Sequence, residues 1–312
     1  MVVSGMVWVR KLLKVNHSEM DVDAELRSYV ASYPLLKRGA TLRIDFYHGG
    51  LADIMKFTLL MVDRCMAMGI RFRLTMRPQV PVYRFLKLRF PEMMVLDFDM
   101  DEPYTSIGKL DELRDLEEGS EVTIMPYPMY SHFGDGEAHV RAMLGLRIPG
   151  RLLFELSPEV VVLGDSIIAE RLGGVGYVGL HVRMGDRFLE MPQREIVALN
   201  DVRVWDQRDV VDALSGPWGG EHVLICCDNR GLRDSLELDF PHARSSGLEV
   251  GHVSYPSTAP SVARSAVVEF YLLSRARCIA YASVSGFAVM AAQFSGIPCE
   301  RIGNVGVCVF DK

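Results

Sequence analysis

Residues 175–187 read VGYVGLHVRMGDR, and this stretch decides the interpretation of the fold. Residues 175–182 form an almost continuous apolar run, which is typical of a strand buried on both faces of a parallel sheet. Arg183, Gly185 and Asp186 follow directly, so the strand runs into a polar loop that contains a glycine. Because parallel α/β sheets bind ligands at the carboxyl ends of their strands, this loop is the first candidate binding site.

The side chains of this loop have the chemistry that phosphate binding requires. The guanidinium of Arg183 is always ionised and donates two parallel hydrogen bonds to phosphate oxygens. Gly185 lets a ligand approach the backbone closely, and His181 points to the same face of the strand as Arg183. A purely structural interpretation also stands, in which Arg183 pairs with Asp186 and His181 is a core histidine.

Predicted strands and helices alternate through the rest of the chain. In the second half, residues 222–227 and 277–282 are predicted strands, each followed by a predicted helix. In the first half, strands at 41–47 and 70–75 flank a helix over 51–68. This alternation predicts an α/β fold with parallel sheets.

The length of 312 residues is enough for two such units. Ser157 in an N-cap position, followed by Pro158, predicts the start of a helix that opens the second unit. We therefore predict an amino-terminal domain over residues 1–156 and a carboxyl-terminal domain over residues 157–312.

Near the carboxyl end, residues 283–287 (SVSGF) follow a predicted strand and open a predicted helix. The unpaired N–H groups and the macrodipole of a helix start both favour an anion, so Ser285 and Gly286 mark a second candidate phosphate site. Ordinary capping by Ser285 explains the same pattern.

The first half has its own glycine loop, residues 48–53 (HGGLAD). This loop matches neither G-x-G-x-x-G nor a Walker A loop. It is either a loop that a ligand approaches closely or a tight turn.

The composition excludes several classes of function. Lys and Arg number 34 against 40 Asp and Glu, and this net charge of -6 provides no overall basic field for nucleic acid or an anionic membrane. No apolar stretch approaches the roughly 18 residues of a membrane-spanning helix, and residues 1–13 lack the features of a signal peptide. The six cysteines form no C-x-x-C pair, which favours buried reduced thiols over the alternatives of disulfides or a zinc site. We expect a cytoplasmic protein with no nucleic-acid partner and no membrane insertion.

Four stretches in this order resemble the fucosyltransferase-like superfamily of GT-B glycosyltransferases, which contains the α1,6-, α1,2- and protein O-fucosyltransferases. They are the glycine loop 49–53, the H-x-R-x-G-D segment 181–186, the strand end 226–229 (CCDN), and residues 269–274 (EFYLLS) leading to 283–287. The H-x-R-x-G-D segment is the specific element among them. The resemblance extends from about residue 42 to residue 298.

The resemblance implies two Rossmann-like domains whose parallel sheets face each other across a cleft. The first domain then binds a glycan acceptor, and the second binds the nucleotide-sugar donor as a substrate, with no separate cofactor and no metal. The implied reaction is inverting transfer of L-fucose from GDP-fucose to a glycan hydroxyl. Relatives of the secretory pathway have a leader or anchor, so the chain looks like a bacterial or viral enzyme or a domain of a larger protein.

The resemblance also implies roles for individual residues. Arg183, with Gly185 beside it, holds the β-phosphate, and Asp228 with His181 contributes to the nucleoside. On the other side, the diphosphate is held by Ser283, Ser285, Gly286 and Phe287. Glu269 stands where relatives usually have Asp, and Cys227 where they often have Thr, so rhamnose or xylose on another nucleotide fits the same frame.

An inverting transfer benefits from a base that accepts the proton of the acceptor hydroxyl. Asp45, His48 and Asp53, around the first glycine loop, are the candidates, with Asp53 first. The helix macrodipole favours a carboxylate at the position of Asp53 without any function.

Two other classes of protein stay open. Residues 97–101 (DFDMD) are either a solvated face or the cation site of a metal-dependent GT-A transferase, and a nucleotide-sugar-binding module would keep the fold without catalysis. A dehydrogenase is disfavoured because no dinucleotide fingerprint follows any predicted strand.

Overall fold

The amino-terminal half is built on a three-stranded parallel sheet. Its central strand β1 (Gly39–Ile44) lies between β2 (Arg71–Met76) and β4 (Glu121–Ile124). Helix α2 (Leu51–Met68) makes the crossover from β1 to β2, with the bounds that the sequence predicts. The computed structural model describes residues 19–44, 50–76, 81–95, 109–188, 203–249, 251, 253 and 258–302.

The carboxyl-terminal half contains a five-stranded parallel sheet in the order β10-β9-β6-β7-β8. Strand β6 (Val178–Val182) lies at its centre and pairs with β7 (Val223–Cys227) on one side and β9 (Cys278–Tyr281) on the other. Every residue of these three strands is buried, as the apolar run predicts. The edge strands are β8 (Ala243–Ser245) and β10 (Cys299–Arg301). The prediction of an α/β fold with parallel sheets is confirmed.

A short antiparallel ribbon joins β3 (Leu86–Leu88) to β5 (Phe154–Leu156). Ahead of β3, residues Pro81–Arg84 form only a single 3-10 turn. The strand forms because Leu86 and Leu88 alternate with the exposed Lys87 and bury their side chains.

The remaining helices are α1 (Glu19–Ala31), α3 (Tyr127–Phe133), α4 (Gly136–Leu144), α5 (Gly150–Leu153), α6 (Pro158–Arg171), α7 (Gln207–Ser215), α8 (Arg230–Asp239), α9 (Pro260–Ser274) and α10 (Gly286–Ser295).

The two halves share one apolar core. Helix α10 belongs to the second half but packs against α2, α4 and α5 of the first. Gln293 of α10 is buried and hydrogen bonds across the junction, because its Oε1 accepts from the N–H of Gly150 at 3.1 Å and its Nε2 donates to the carbonyl of Ile148 at 2.7 Å. The proposed division of the chain after residue 156 falls between β5 and α6 and stays a prediction.

Cysteines at four described positions are free thiols, Cys65, Cys226, Cys227 and Cys299. Burial raises the pKa of each of them, so they are neutral at pH 7. Cys278 is disulfide-bonded, so the expectation of reduced thiols is wrong for that residue. Among the described helices, none is both long enough and apolar enough to span a bilayer.

Candidate donor site at three adjacent strand ends

Three neighbouring strands of the second sheet end at the same edge, and the residues that follow them contact one another. Arg183 follows β6, Asp228 follows β7, and Ser283 follows β9 closely. Parallel pairing brings His181 opposite Tyr281 and Val182 opposite Cys227, so the three loops leave the sheet side by side. The sequence-predicted residues from separate parts of the chain are therefore brought together.

The guanidinium of Arg183 lies between two carboxylates. Its Nη2 pairs with Oδ1 of Asp186, and its Nη1 lies 3.3 Å from Oδ2 of Asp228. The side chains of Arg183, Asp186 and Asp228 are 17%, 10% and 9% exposed, so water screens these pairs weakly. The ion pair between Arg183 and Asp186 that the structural interpretation predicts is therefore present. The two carboxylates thus fix the position of the guanidinium.

Asp228 organises the loop that contains Arg183. Its Oδ1 accepts a hydrogen bond from the N–H of Met184 at 2.8 Å, and its Oδ2 accepts one from Gly185 at 3.1 Å. Gly185 has a φ of 109°, a conformation that a residue with a Cβ rarely adopts, which explains the glycine at this point of the motif. Burial raises the pKa of the Asp228 carboxyl, while Arg183 opposes this effect. The contacts make Asp228 a support for the loop.

Ser283 fixes the start of the same loop from the β9 side. Its hydroxyl donates to the carbonyl of Arg183 at 2.6 Å and accepts from the N–H of Arg183 at 3.2 Å. Ser283 is 1% exposed, so its hydroxyl is used inside the protein. The resemblance assigns Ser283 to the diphosphate, whereas these bonds give it a role in holding the Arg183 backbone.

His181 is buried beside the start of α10. Its ring stacks on that of Phe287, with centroids 5.5 Å apart and an interplanar angle of 30°. Burial and, to a smaller extent, the positive charge of Arg183 lower the pKa of His181 to about 3, so the imidazole is neutral at pH 7. Within the described residues, Nδ1 of this buried ring has no hydrogen-bond partner.

The start of α10 is placed where the two halves meet. Ser285 occupies the N-cap position and is buried, but its side chain makes no capping bond, so ordinary side-chain capping does not explain it. A Cβ added to Gly286 would lie 3.5 Å from the Cβ of Ala52 in the first turn of α2. Two helix N-termini, one from each half, thus meet at this point. The positive ends of both macrodipoles favour an anion there.

Glu269 lies on α9 and contacts the loop that follows β8, the strand next to β7. Its Oε1 accepts a hydrogen bond from the hydroxyl of Ser246 at 2.6 Å, and that hydroxyl also accepts one from the N–H of Leu248 at 3.2 Å. Burial raises the pKa of Glu269 to about 7, an effect that the Ser246 bond and Arg233 oppose and Asp228 strengthens. Glu269 is thus electrostatically coupled to the loop at Asp228, and its carboxylate already holds the loop after β8.

Asp53 faces this region from the first half. Its Oδ2 accepts a hydrogen bond from the N–H of Gly50 at 3.2 Å, and its Oδ1 pairs with the ammonium of Lys56, which is 2% exposed. Lys56 lies against the rings of Phe57, Tyr130 and Phe133, with Nζ 4.8, 5.3 and 5.2 Å from their centroids. Asp53 anchors the start of α2, and its catalytic role stays a prediction. His48 and Asp45 lie outside the described residues.

His139 on α4 is a candidate that the sequence analysis missed. Its Nε2 lies 3.8 Å from the position that a Cβ on Gly286 would occupy, and its ring centroid is 5.9 Å from that of Phe133. No motif marks this histidine in the sequence. Its position depends on the packing of α4 against α10, two helices far apart in the chain.

Acidic side chains at this surface could hold a metal ion only as a group of several ligands. Residues 97–101, the acidic candidate, lie outside the described residues. The described part of the chain contains no group of three or more His, Cys, Asp or Glu side chains that could hold a metal ion.

Comparison with solved structures finds three that resemble this chain to different degrees. A variant of Arabidopsis thaliana FUT1 in complex with GDP superposes with a TM-score of 0.54 at 12% identity, over 88% of this chain and 78% of that chain. Fucosyltransferase NodZ from Bradyrhizobium gives 0.47 at 16% identity, over 82% and 92%. POFUT1 in complex with GDP-fucose gives 0.37 at 10% identity, over 91% and 79%.

The match to FUT1 confirms the predicted fold class, an α/β protein of GT-B type with parallel sheets. At these identities the likeness concerns the fold alone. No protein-family model matches the sequence, and no curated protein matches it either.

Proposed function

We propose that this chain is a glycosyltransferase that binds a nucleotide sugar at the carboxyl edge of the second sheet. One observation supports this proposal above the others. The guanidinium of Arg183 and the N-terminus of α10 follow adjacent strands, and the first turn of α2 from the other half contacts the start of α10. Fixed cationic groups and N–H donors on several sides are what a diphosphate needs.

The reaction that suits these groups is transfer with loss of a nucleoside diphosphate. As the bond between the sugar and the diphosphate breaks, negative charge develops on the leaving phosphate. Arg183 and the N–H groups of α10 stabilise that charge without reorganisation, because the bonds of Asp186, Asp228 and Ser283 already fix the arginine loop. We propose metal-independent transfer with inversion, in which these groups perform the task of a divalent cation.

L-fucose from GDP-fucose is the donor that we propose, with a glycan hydroxyl as acceptor. The support is the resemblance of residues 181–186 to the fucosyltransferase-like superfamily, together with the fold likeness to FUT1, whose structure contains GDP. We place the donor in the domain of residues 157–312 and the acceptor against the domain of residues 1–156. Another sugar on another nucleotide, or binding without catalysis, are the alternatives, because Glu269 and Cys227 differ from the family pattern.

The test is a binding and turnover screen of the purified chain. Calorimetry with GDP, UDP and dTDP, followed by incubation with GDP-fucose, GDP-rhamnose and UDP-xylose, should show tight binding of GDP and release of GDP from GDP-fucose, in excess EDTA as well as in Mg²⁺. Binding of GDP without release from any sugar nucleotide would indicate the non-catalytic alternative. Loss of turnover in EDTA that Mn²⁺ restores would contradict metal independence.

A further inference from the structure

The carboxyl-terminal turn of α10 is hydrogen bonded to the first half of the chain. Oε1 of Gln293 accepts from the N–H of Gly150 at 3.1 Å, and Nε2 donates to the carbonyl of Ile148 at 2.7 Å. Nη1 of Arg151 donates to the carbonyl of Phe294 at 2.9 Å. We call these three contacts the α10 clamp. Gly150 and Gln293 are 143 residues apart in the sequence, so the clamp joins the end of this helix to a distant segment.

The clamp leaves the end of α10 little freedom to move. Gln293 is 7% exposed, and its amide both accepts and donates, so a shift of the helix would leave two buried backbone groups unpaired. A Cβ added to Gly150 would lie 2.9 Å from Cδ2 of Phe294, so the backbone of Gly150 lies directly against the helix. The guanidinium of Arg151 also complements the negative end of the helix macrodipole. These contacts fix the position of α10 along its axis and its rotation about that axis.

We propose that Gln293 and Arg151 are positioning residues for the donor diphosphate, and that they act through the first turn of α10. This inference rests on the proposed function, which places the phosphates at that turn. Gln293 lies seven residues after Gly286, which is about 10 Å along the helix axis at about 1.5 Å per residue. A tilt of about 5° at the clamp therefore moves the first turn by about 1 Å.

The clamp sets the distance between the two groups of the proposed phosphate site. Arg183 is fixed to the second sheet, because Asp228 pairs with its guanidinium and Ser283 bonds to its backbone. The start of α10 instead rests on the first half, where a Cβ on Gly286 would lie 3.5 Å from the Cβ of Ala52. Hydrogen bonds from N–H groups to oxygen span only about 2.7–3.2 Å, so a displacement of about 1 Å disturbs the match between the two groups.

The experiment begins with two variants of the clamp, studied at a temperature where both are folded. Gln293→Met keeps the length and volume of the side chain but removes both of its hydrogen bonds. Arg151→Met removes the bond to Phe294 at a side chain that is 35% exposed, so this variant should fold even if Gln293→Met does not. We expect each variant to bind GDP at least about tenfold more weakly in calorimetry, because a misplacement of about 1 Å is costly at a site of fixed geometry.

Each clamp variant has a matched control. Tyr29→Phe removes a buried hydroxyl that donates to the carbonyl of Ile70 at 2.5 Å and accepts from the N–H of Phe72 at 2.9 Å, both within the first half. Glu19→Gln removes the ion pair between α1 and Arg151 and leaves the bond of that arginine to α10 in place. Tyr29→Phe should lower the stability in urea denaturation, and both controls should bind GDP within about threefold of the wild type.

Pyrophosphate and guanosine supply a readout that separates positioning of the phosphates from a general loss of structure. Pyrophosphate contains only the phosphate end of the donor, and guanosine contains only the nucleoside end. Both clamp variants should lose affinity for pyrophosphate by the same factor as for GDP and keep the wild-type affinity for guanosine. Lower stability with unchanged GDP affinity, an equal loss for guanosine, or an equal loss in Tyr29→Phe overturns the inference. If the wild type binds neither GDP nor pyrophosphate, the proposed function itself has failed.

Discussion

Replacement of Arg183 by alanine removes the cation from between two nearly buried carboxylates. Asp186 and Asp228 are 10% and 9% exposed and would keep their charges without the guanidinium that balances them. Removing one partner of a buried ion pair costs about 3–5 kcal/mol, because the other charge stays desolvated. We expect Arg183→Ala to lower the free energy of unfolding by that order at pH 7.5.

The loss of stability should depend on pH in a defined direction. Burial raises the pKa of Asp228, and Arg183 is the largest influence that lowers it again. Without Arg183 that pKa rises further, so the folded state binds a proton more tightly than the unfolded state does. Stability then increases as the pH falls, because a protonated Asp228 needs no cation. The deficit of Arg183→Ala should therefore be largest at neutral pH and shrink as the pH is lowered to about 5.

The assay separates this structural effect from ligand binding. Urea denaturation at pH 7.5 and 5 gives the stability, and calorimetry with GDP, at a temperature where all variants are folded, gives the affinity. Arg183→Lys keeps the charge and should recover about half of the stability, yet GDP should still bind at least about 100-fold more weakly, because lysine lacks the planar fork. Arg187→Ala changes an exposed arginine of the same loop and should affect neither. Wild-type GDP affinity in Arg183→Lys, or a pH-independent deficit in Arg183→Ala, would refute the reasoning.

Two further predictions concern the same edge of the sheet. Gly286→Ala should fold with a stability unchanged or raised by up to about 1 kcal/mol, because the new Cβ meets its neighbours at ordinary contact distances. It should nevertheless weaken GDP binding about tenfold or more in calorimetry, because the methyl group obstructs the approach to the α10 backbone; unchanged affinity would exclude this helix start as the phosphate site. Glu269 has a folded pKa of about 7, raised from 4.5, so its contribution to stability is complete below pH 4.5 and is lost as the pH rises through 7. Glu269→Gln should therefore become more stable relative to the wild type between pH 4.5 and 8 in urea denaturation, by up to about 3 kcal/mol, and a constant difference would contradict this origin.

Much of the fold follows from local patterns. The apolar runs that became β6, β7 and β9 are each four or five residues long and buried throughout, a pattern that distinguishes parallel strands from half-exposed ones. Helix α2 was predictable in its bounds because a glycine precedes it and Gly69 follows it in the left-handed conformation that ends helices. The convergence of Arg183, Asp228 and Ser283 then follows from strand order alone.

The parts of the site that the sequence does not reveal depend on contacts between distant segments. The approach of His139 to Gly286 requires α4 to pack on α10, and the contact of Ala52 with Gly286 requires α2 to do the same. Similarly, the bond between Ser246 and Glu269 joins the loop after β8 to a helix 23 residues away. No periodicity or capping signal specifies such pairs, because they are set by the tertiary packing of apolar faces.

The charge balance around Arg183 shows why the proposed donor site needs both halves of the chain. One guanidinium lies between two carboxylates, so these three side chains have no surplus of positive charge, even when Asp228 is protonated. A diphosphate that contacted this loop alone would be attracted by Arg183 and repelled by its partners. The N-termini of α10 and α2, which are in contact at Gly286 and Ala52, supply partial positive charge of about half an elementary charge each. Because α2 belongs to the first half, we infer that the phosphate-binding field is complete only where the two halves meet, which is also where an acceptor held by the first half can reach the sugar.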